Sequence, residues 1–142
     1  MAEPYRHTIR IRYLECDPQG VLAYPRYLGL FDVAMTEMWR GAIGPYTELT
    51  ASGVDLAVVH SEIDYRSAAR FDDLLDIDVG LAHLGTTSFT LGFIAEVGGR
   101  RCTEASIRYV CIDPAQRSKA PLPEHVREGL GRHPAPGDPS RH

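Results

Sequence analysis

The sequence predicts an α+β fold in which a curved antiparallel sheet of about five strands wraps around one long helix. One stretch after residue 25 has apolar residues at helical spacing. The other long segments alternate apolar and polar residues, as half-buried strands do. A single helix with a broad apolar stripe needs a curved sheet to bury it, so these two patterns together predict the core.

The long helix is predicted over residues 25–40. Pro25 suits the first helical position, where a missing N–H costs nothing, and a Gly- and Pro-containing cluster at 41–45 ends the pattern. The apolar stripe of this helix comprises Tyr27, Leu30, Phe31, Ala34 and Met38. Short helical segments are expected over 47–52 and 124–130.

Alternation predicts strands at residues 7–14, 56–65, 75–81, 89–97 and 101–112. In the first strand, Ile9, Ile11 and Tyr13 are expected to face the core. Gly98-Gly99 predicts a tight hairpin between the last two strands. We therefore expect one domain over residues 1–130. Residues 131–142 are rich in Pro and Gly without an apolar anchor, which predicts a disordered tail.

Composition narrows the classes of function. The chain has 142 residues and a net charge of −4, which gives no general attraction to nucleic acid or to an anionic membrane. No apolar run approaches the length of a membrane span, and the N-terminus lacks the apolar core of a secretory signal. Three cysteines, an odd number, indicate reduced thiols and a cytoplasmic location. The six histidines lack metal-ligand spacing, so no metal is expected. No other cofactor is expected either.

The most informative segment is the turn from Asp17 to Gly20, just before the long helix. Pro18 fixes one φ angle and Gly20 permits an unusual one. A carboxylate near a helix N-terminus brings a base or nucleophile close to unpaired N–H groups that can stabilise an oxyanion. That combination suits acyl transfer. The alternative is structural, because an aspartate in such a turn commonly closes it with its own side chain.

Residues 13–34, which include ECDPQGVLAYPRYLGLFDVA, resemble the signature of the 4-hydroxybenzoyl-CoA thioesterase family of hotdog-fold acyl-CoA hydrolases. The resemblance implies the hotdog fold and hydrolysis of a short-chain or aromatic acyl-CoA to free acid and CoA. It assigns Asp17 as the catalytic carboxylate, either nucleophile or general base. It also assigns the backbone N–H of Tyr24 to the oxyanion site and matches Gly20 to the glycine that lets the loop turn.

Four further positions match the family and are expected to contact substrate: Tyr27, Asp32, Glu62 and Ser88. For Tyr27 the alternative is helix packing. Asp32 either lines the acyl pocket or anchors a hydrogen-bond network on the helix. Glu62 either faces the site from a second subunit or is an ordinary strand residue.

The resemblance also leaves the substrate carrier and the assembly open. Residues 85–88 replace the basic residues with which the benzoyl-type enzyme contacts the CoA nucleotide. An acyl-carrier-protein thioester is therefore an alternative substrate, and a non-catalytic acyl-CoA-binding protein is an alternative function. One helix on one sheet leaves edges uncovered, and the family places its sites between subunits, so a homodimer or homotetramer is expected.

Overall fold

In residues 2–137, the part of the chain that the computed structural model describes, an antiparallel sheet of six strands packs on one long helix. The strands are β1 (Tyr5–Arg10), β2 (Asp55–Tyr65), β3 (Leu74–Leu84), β4 (Ser88–Val97), β5 (Arg100–Asp113) and β6 (Ser118–Lys119). The helices are α1 (Arg26–Ala42), α2 (Tyr46–Ala51) and α3 (Glu124–Leu130). The sheet order is β1-β3-β4-β5-β2, with β6 added to β5, so β1 and β2 form its two edges.

The core lies between α1 and the sheet, as the sequence predicts. Every member of the predicted stripe is buried, and Met35 and Trp39 extend it. Phe31 stacks on Phe93 of β4 with ring centroids 4.8 Å apart. Apolar residues at alternating positions of β3, β4 and β5 are also buried: Leu75, Ile77, Val79, Phe89, Leu91, Ile107, Tyr109 and Cys111. The alternation therefore identified the inner face of the sheet correctly.

The long helix ends later than predicted. α1 continues through Gly41 to Ala42, which is 6% exposed. Gly129 of α3 packs so closely on this end that an added Cβ would lie 2.7 Å from the carbonyl oxygen of Ala42. Tertiary packing against α3 thus outweighs the low helix propensity of Gly41, which amounts to only about 1 kcal/mol.

The prediction that Tyr13 faces the core is wrong, because its side chain is 80% exposed. β1 ends at Arg10, and after the buried Ile11 the chain forms a 3₁₀ turn over Tyr13–Glu15. Two hydrogen bonds to the buried Glu15 carboxylate stabilise this turn, one from the Arg12 backbone N–H (2.9 Å) and one from its guanidinium (3.2 Å). A local polar interaction therefore ends the strand before its apolar alternation does.

The predicted disordered tail is wrong for residues 131–137. The Leu81 N–H donates to the His133 carbonyl at 2.7 Å, and the Ala135 N–H donates to the Leu81 carbonyl at 2.9 Å. β1 pairs with β3 only as far as Tyr5, which lies opposite Val79. Past that point the C-terminal segment pairs with β3 instead, with Pro134 beside Leu81. Gly80 makes the close approach possible because it has no side chain. The ordered domain thus extends past residue 130, while residues 138–142 lie outside the described part of the chain.

Two further sequence-based expectations concern the cysteines and membrane helices. Cys16, Cys102 and Cys111 carry free thiols, and Cys102 and Cys111 are buried in the core. None of the helices between residues 2 and 137 is both long and apolar enough to span a lipid bilayer.

Candidate active site

Asp17 lies in the loop between β1 and α1, and its carboxylate closes the turn that it starts. Oδ1 accepts the N–H of Gln19 at 2.8 Å and, more weakly, that of Val21 at 3.4 Å. Gly20 completes the turn with φ +77° and donates its N–H to the Asp17 carbonyl at 2.9 Å. Across residues 2–137, Oδ2 accepts no hydrogen bond. One carboxylate oxygen is therefore fixed in place and the other remains available for chemistry.

Backbone hydrogen bonds hold this loop against the rest of the molecule. Ala23 donates to the Glu15 carbonyl (3.0 Å), Leu22 to the Ala69 carbonyl (2.8 Å), and Phe71 to the Gly20 carbonyl (3.0 Å). Burial by itself would raise the pKa of the Glu15 carboxyl, but the hydrogen bonds and charge of Arg12 lower it below its ordinary value. An ionised Glu15 thus stabilises the strand end from which the Asp17 turn begins.

Cys16, the neighbour of Asp17, is poorly suited to nucleophilic attack. Burial, together with the charges of Asp17 and Glu15, raises the pKa of its thiol. The thiolate is the reactive form of cysteine, so a raised pKa keeps this side chain in its unreactive form.

Tyr24 offers an unpaired backbone donor two residues before α1 begins. Its N–H donates to no acceptor in the described part of the chain, whereas the neighbouring N–H groups of Ala23 and Arg26 are both bonded. The Tyr24 carbonyl accepts the hydroxyl of Tyr65 at 3.3 Å, which ties this backbone to the end of β2. A fixed and unpaired N–H at a helix N-terminus is the kind of donor that an oxyanion requires.

A groove with three tyrosines adjoins Asp17 and Tyr24, and we call it the tyrosine groove. Its volume is about 350 Å³, and it is lined by Asp17, Val21, Leu22, Tyr24, Tyr27, Tyr65, Arg66, Ser67 and Ala68. The Tyr65 ring stands edge-on to Tyr24 and Tyr27, with centroids 6.3 and 5.8 Å away. Tyr27 is 3% exposed, and burial raises the pKa of its hydroxyl. Tyr27 therefore packs in the core, its predicted alternative role, and also forms one wall of this groove.

Asp32 lies in a different groove, the Asp32 groove, with a volume of about 360 Å³. Its other lining residues are Met35, Thr36, Tyr46, Leu56, Val58 and Tyr109. The Asp32 carboxylate accepts no hydrogen bond from residues 2–137. Burial, reinforced by the charge of Asp32, raises the pKa of the Tyr109 hydroxyl. Asp32 thus lines a groove, and both of its predicted roles, in the acyl pocket and in a hydrogen-bond network, stay predictions.

Glu62 and Ser88 are not beside Asp17 in a single chain. Glu62 is exposed on β2 and contacts His60 at 2.8 Å. Phe71 contacts the Asp17 loop through Gly20, and β3 begins three residues after Phe71. Ser88 comes after the other end of β3, so it lies at the end of the sheet away from the Asp17 loop. At about 3.3 Å per residue, about 35 Å of strand lies between Phe71, beside the Asp17 loop, and Ser88. Of the predicted site residues, one chain thus brings together Asp17, Gly20, Tyr24 and Tyr27. The other three, Asp32, Glu62 and Ser88, lie elsewhere.

Tyr65 joins the candidate site, although no sequence pattern predicted it there. It is the last residue of β2 and contacts Tyr24 across 41 residues of sequence. Its aromatic ring at the end of a strand was the available signal, but the contact depends on which strand end meets the loop. Among residues 2–137, no three His, Cys, Asp or Glu side chains are grouped so that they could hold a metal ion.

Comparison with known proteins identifies the family. A sequence profile described as the thioesterase-like superfamily matches residues 11–130, which include Asp17, Tyr24 and Tyr65. The chain belongs to the thioesterase-like superfamily. This result confirms both the predicted family resemblance and the predicted class of enzyme, a thioester hydrolase.

Curated relatives and solved structures agree with this assignment. The thioesterase is 28% identical over 123 residues to the acyl-CoA thioester hydrolase YbgC of Escherichia coli O157:H7, covering 86% of this chain and 92% of that protein. It is 27% identical over 131 residues to the 1,4-dihydroxy-2-naphthoyl-CoA hydrolase of Nostoc punctiforme, covering 92% and 87%. The 1,4-dihydroxy-2-naphthoyl-CoA thioesterase Slr0204 from Synechocystis superimposes with a TM-score of 0.83 at 19% identity, covering 89% and 95%. These likenesses confirm the predicted hotdog fold.

Proposed function

We propose that this thioesterase hydrolyses a short-chain or aromatic acyl-CoA to the free acid and CoA, with Asp17 and the Tyr24 N–H as its reacting groups. The observation that carries the proposal is the pairing of a free Asp17 oxygen with an unpaired Tyr24 N–H on one hydrogen-bonded loop. Relatives named as acyl-CoA and 1,4-dihydroxy-2-naphthoyl-CoA hydrolases support the substrate class.

Asp17 has two chemically complete routes. As a nucleophile, it attacks the thioester carbonyl and expels the thiolate, and water then cleaves the mixed anhydride. As a general base, it removes a proton from the water that attacks the carbonyl, and the tetrahedral intermediate then expels the thiolate, which takes up that proton. In both routes the carbonyl oxygen gains negative charge, and the Tyr24 N–H is the donor proposed to stabilise it. A donor of this kind is typically worth about 10²–10³ in rate.

The proposal includes a homodimer in which two β2 strands pair. β2 is an edge strand whose Val58 and Val59 are 61% and 53% exposed. Exposed apolar edges favour pairing with another strand. When the one-residue bulge between Val58 and His60 is counted, antiparallel pairing about a two-fold axis at Ser61 sets Leu56 of one copy beside Tyr65 of the other.

That pairing completes the site. Leu56 lines the Asp32 groove and Tyr65 lines the tyrosine groove, so each Asp17 gains the Asp32 groove of the second copy. In this arrangement the acyl group extends from Asp17 towards Asp32, and Glu62 lies near the two-fold axis. A homotetramer would assemble from two such dimers.

Thiol release from purified full-length protein tests the function. Short, long and aromatic acyl-CoAs are compared with the same acyl groups on a carrier protein. The proposal predicts fastest release from a short or aromatic acyl-CoA. Binding without release supports the non-catalytic alternative, and a preference for carrier-linked substrates supports the acyl-carrier-protein alternative.

Two matched variants test the dimer. Val59 and Ala82 are both exposed residues at strand irregularities, in β2 and β3 respectively. In sedimentation at micromolar concentration, Val59→Glu should shift the protein towards monomer and reduce turnover, while Ala82→Glu should do neither. A fully active monomer contradicts the proposed site between subunits.

A further inference from the structure

Asp17 also lines a second groove, which we call the Phe71 groove. It has a volume of about 510 Å³ and is lined by Tyr13, Cys16, Asp17, Pro18, Gly20 and Phe71. Asp17 is the residue that the Phe71 groove and the tyrosine groove have in common. The proposed catalytic residue therefore borders two separate grooves.

The Phe71 groove presents an exposed apolar surface on a fixed backbone. Tyr13 and Phe71 are 80% and 51% exposed, and their rings pack edge to face with centroids 5.8 Å apart. The Phe71 N–H donates to Gly20, and the Asp72 N–H donates to the Ile11 carbonyl at 2.9 Å. Asp72 has φ +70°, a left-handed conformation that is uncommon outside glycine. Hydrogen bonds on both sides of this turn thus hold Phe71 outward.

A thioester carbonyl carries two substituents that leave the reacting carbon in different directions. One substituent is the acyl group, and the other is the sulfur arm, which is pantetheine in both CoA and acyl-carrier proteins. The tyrosine groove has a buried wall at Leu22 and Tyr27 and, in the proposed dimer, leads to the Asp32 groove. The Phe71 groove instead lies on the β1 side, where Leu14 and Leu74 are 59% and 48% exposed. An open apolar surface suits a long flexible arm that continues out to solvent.

We infer that the Phe71 groove binds the pantetheine arm of the substrate, with Tyr13 and Phe71 contacting its apolar parts. This inference rests on the proposed thioesterase function and assigns the acyl group to the opposite groove. The aromatic pair then determines preference for the thiol arm and leaves preference for the acid unchanged.

Thioesters of one acid with pantetheine and with the much shorter N-acetylcysteamine test this assignment. The wild type should prefer the pantetheine thioester in kcat/KM. Phe71→Ala should lower that preference about tenfold, equivalent to about 1.4 kcal/mol, because N-acetylcysteamine lacks most of the arm that the groove would contact. Leu28→Ala is the control, because Leu28 is 44% exposed on α1 and lines neither groove. Its preference should match that of the wild type.

Three outcomes overturn the assignment. If Phe71→Ala prefers the pantetheine thioester as strongly as the wild type does, the groove does not bind the thiol arm. Altered acyl-chain selectivity at constant thiol arm places the acyl group there instead. A loss confined to carrier-protein substrates, with CoA thioesters unaffected, makes the groove a contact for the carrier protein itself.

Calorimetric titration with pantetheine separates failure of this inference from failure of the proposed function. If the wild type cleaves no thioester but Phe71→Ala weakens pantetheine binding about tenfold, the groove assignment stands and the hydrolase proposal fails. If thioesters are cleaved and pantetheine binding is the same in both proteins, the groove assignment is wrong.

Discussion

Gly80 of β3 is the point where the C-terminal segment, residues 131–137, approaches the sheet most closely. A Cβ at this position would lie 2.1 Å from the Pro134 carbonyl oxygen and 2.7 Å from that of His133. Both neighbours are backbone atoms that no side-chain rotation can move. Gly80→Ala should therefore displace the segment from β3.

The cost follows from the contacts that are lost. Displacement breaks the hydrogen bonds between Leu81 and His133 and between Ala135 and Leu81, and it exposes Ala135, now 6% exposed. At about 1 kcal/mol per hydrogen bond, with a smaller term for the alanine methyl, the loss is about 2–3 kcal/mol. For a chain of this size, that lowers the melting temperature by about 5–10 °C.

Thermal unfolding of four proteins tests this reasoning: the wild type, Gly80→Ala, the chain truncated after Leu130, and the truncated chain carrying Gly80→Ala. Truncation should cost at least as much as Gly80→Ala, because it also removes the hydrogen bond from Arg132 to the Ala42 carbonyl. The combination should cost little more than truncation alone, because the contacts that Gly80→Ala disrupts are then already absent. Gly29→Ala is the control, since an added Cβ there meets nothing within 4 Å. A Gly80→Ala cost that is equally large in the truncated chain would refute the role of Pro134.

Two further predictions concern pH and CoA docking. The pKa of Glu15 is lower in the folded protein than in the unfolded chain, so its ionised carboxylate stabilises the fold above the ordinary carboxyl pKa. This stability is lost as pH falls through the lower folded-state pKa. Glu15→Gln should therefore flatten the decline of melting temperature below about pH 5. The turn at residues 85–88 carries no cation, and Arg127 holds it through the Gly85 carbonyl, so a pantetheine thioester should be hydrolysed nearly as fast as its CoA counterpart. The test compares kcat/KM for the pantetheine thioester and the CoA thioester at low and at moderate salt. A strong preference for CoA that weakens with salt would indicate that other arginines, such as Arg66 or Arg70, bind the nucleotide.

The sequence determined most of the fold because periodicity reports burial directly. The apolar stripe of α1 and the inward positions of β3 to β5 follow from spacing alone, and α3 spans the predicted residues 124–130. The predictions are wrong where contacts between distant residues, or between polar groups, determine the conformation of the chain. Tyr13 turns outward because Glu15 closes a local turn, and residues 131–137 are ordered because Gly80 leaves them room.

The candidate site divides in the same way. Turn chemistry and the family signature placed Asp17, Gly20 and Tyr24 on one loop, and the structure brings them together. Tyr65 required knowledge of which strand end meets that loop. The roles of Asp32, Glu62 and Ser88 stay predictions, because in a single chain they lie away from Asp17 and only an assembly could bring them closer.

The rate of thiol release by Asp17→Asn tests the central claim most directly. The asparagine oxygen can still accept the turn hydrogen bonds, so melting temperature and sedimentation should not change, while the rate should fall about 10²–10⁴-fold because the amide is a poor base and nucleophile. Asp73→Asn is the matched control, because the Asp73 carboxylate closes a neighbouring turn by accepting the Arg70 N–H at 2.8 Å. It should keep a rate near that of the wild type. An Asp17→Asn variant that also releases thiol at the wild-type rate would mean that Asp17 only closes its turn.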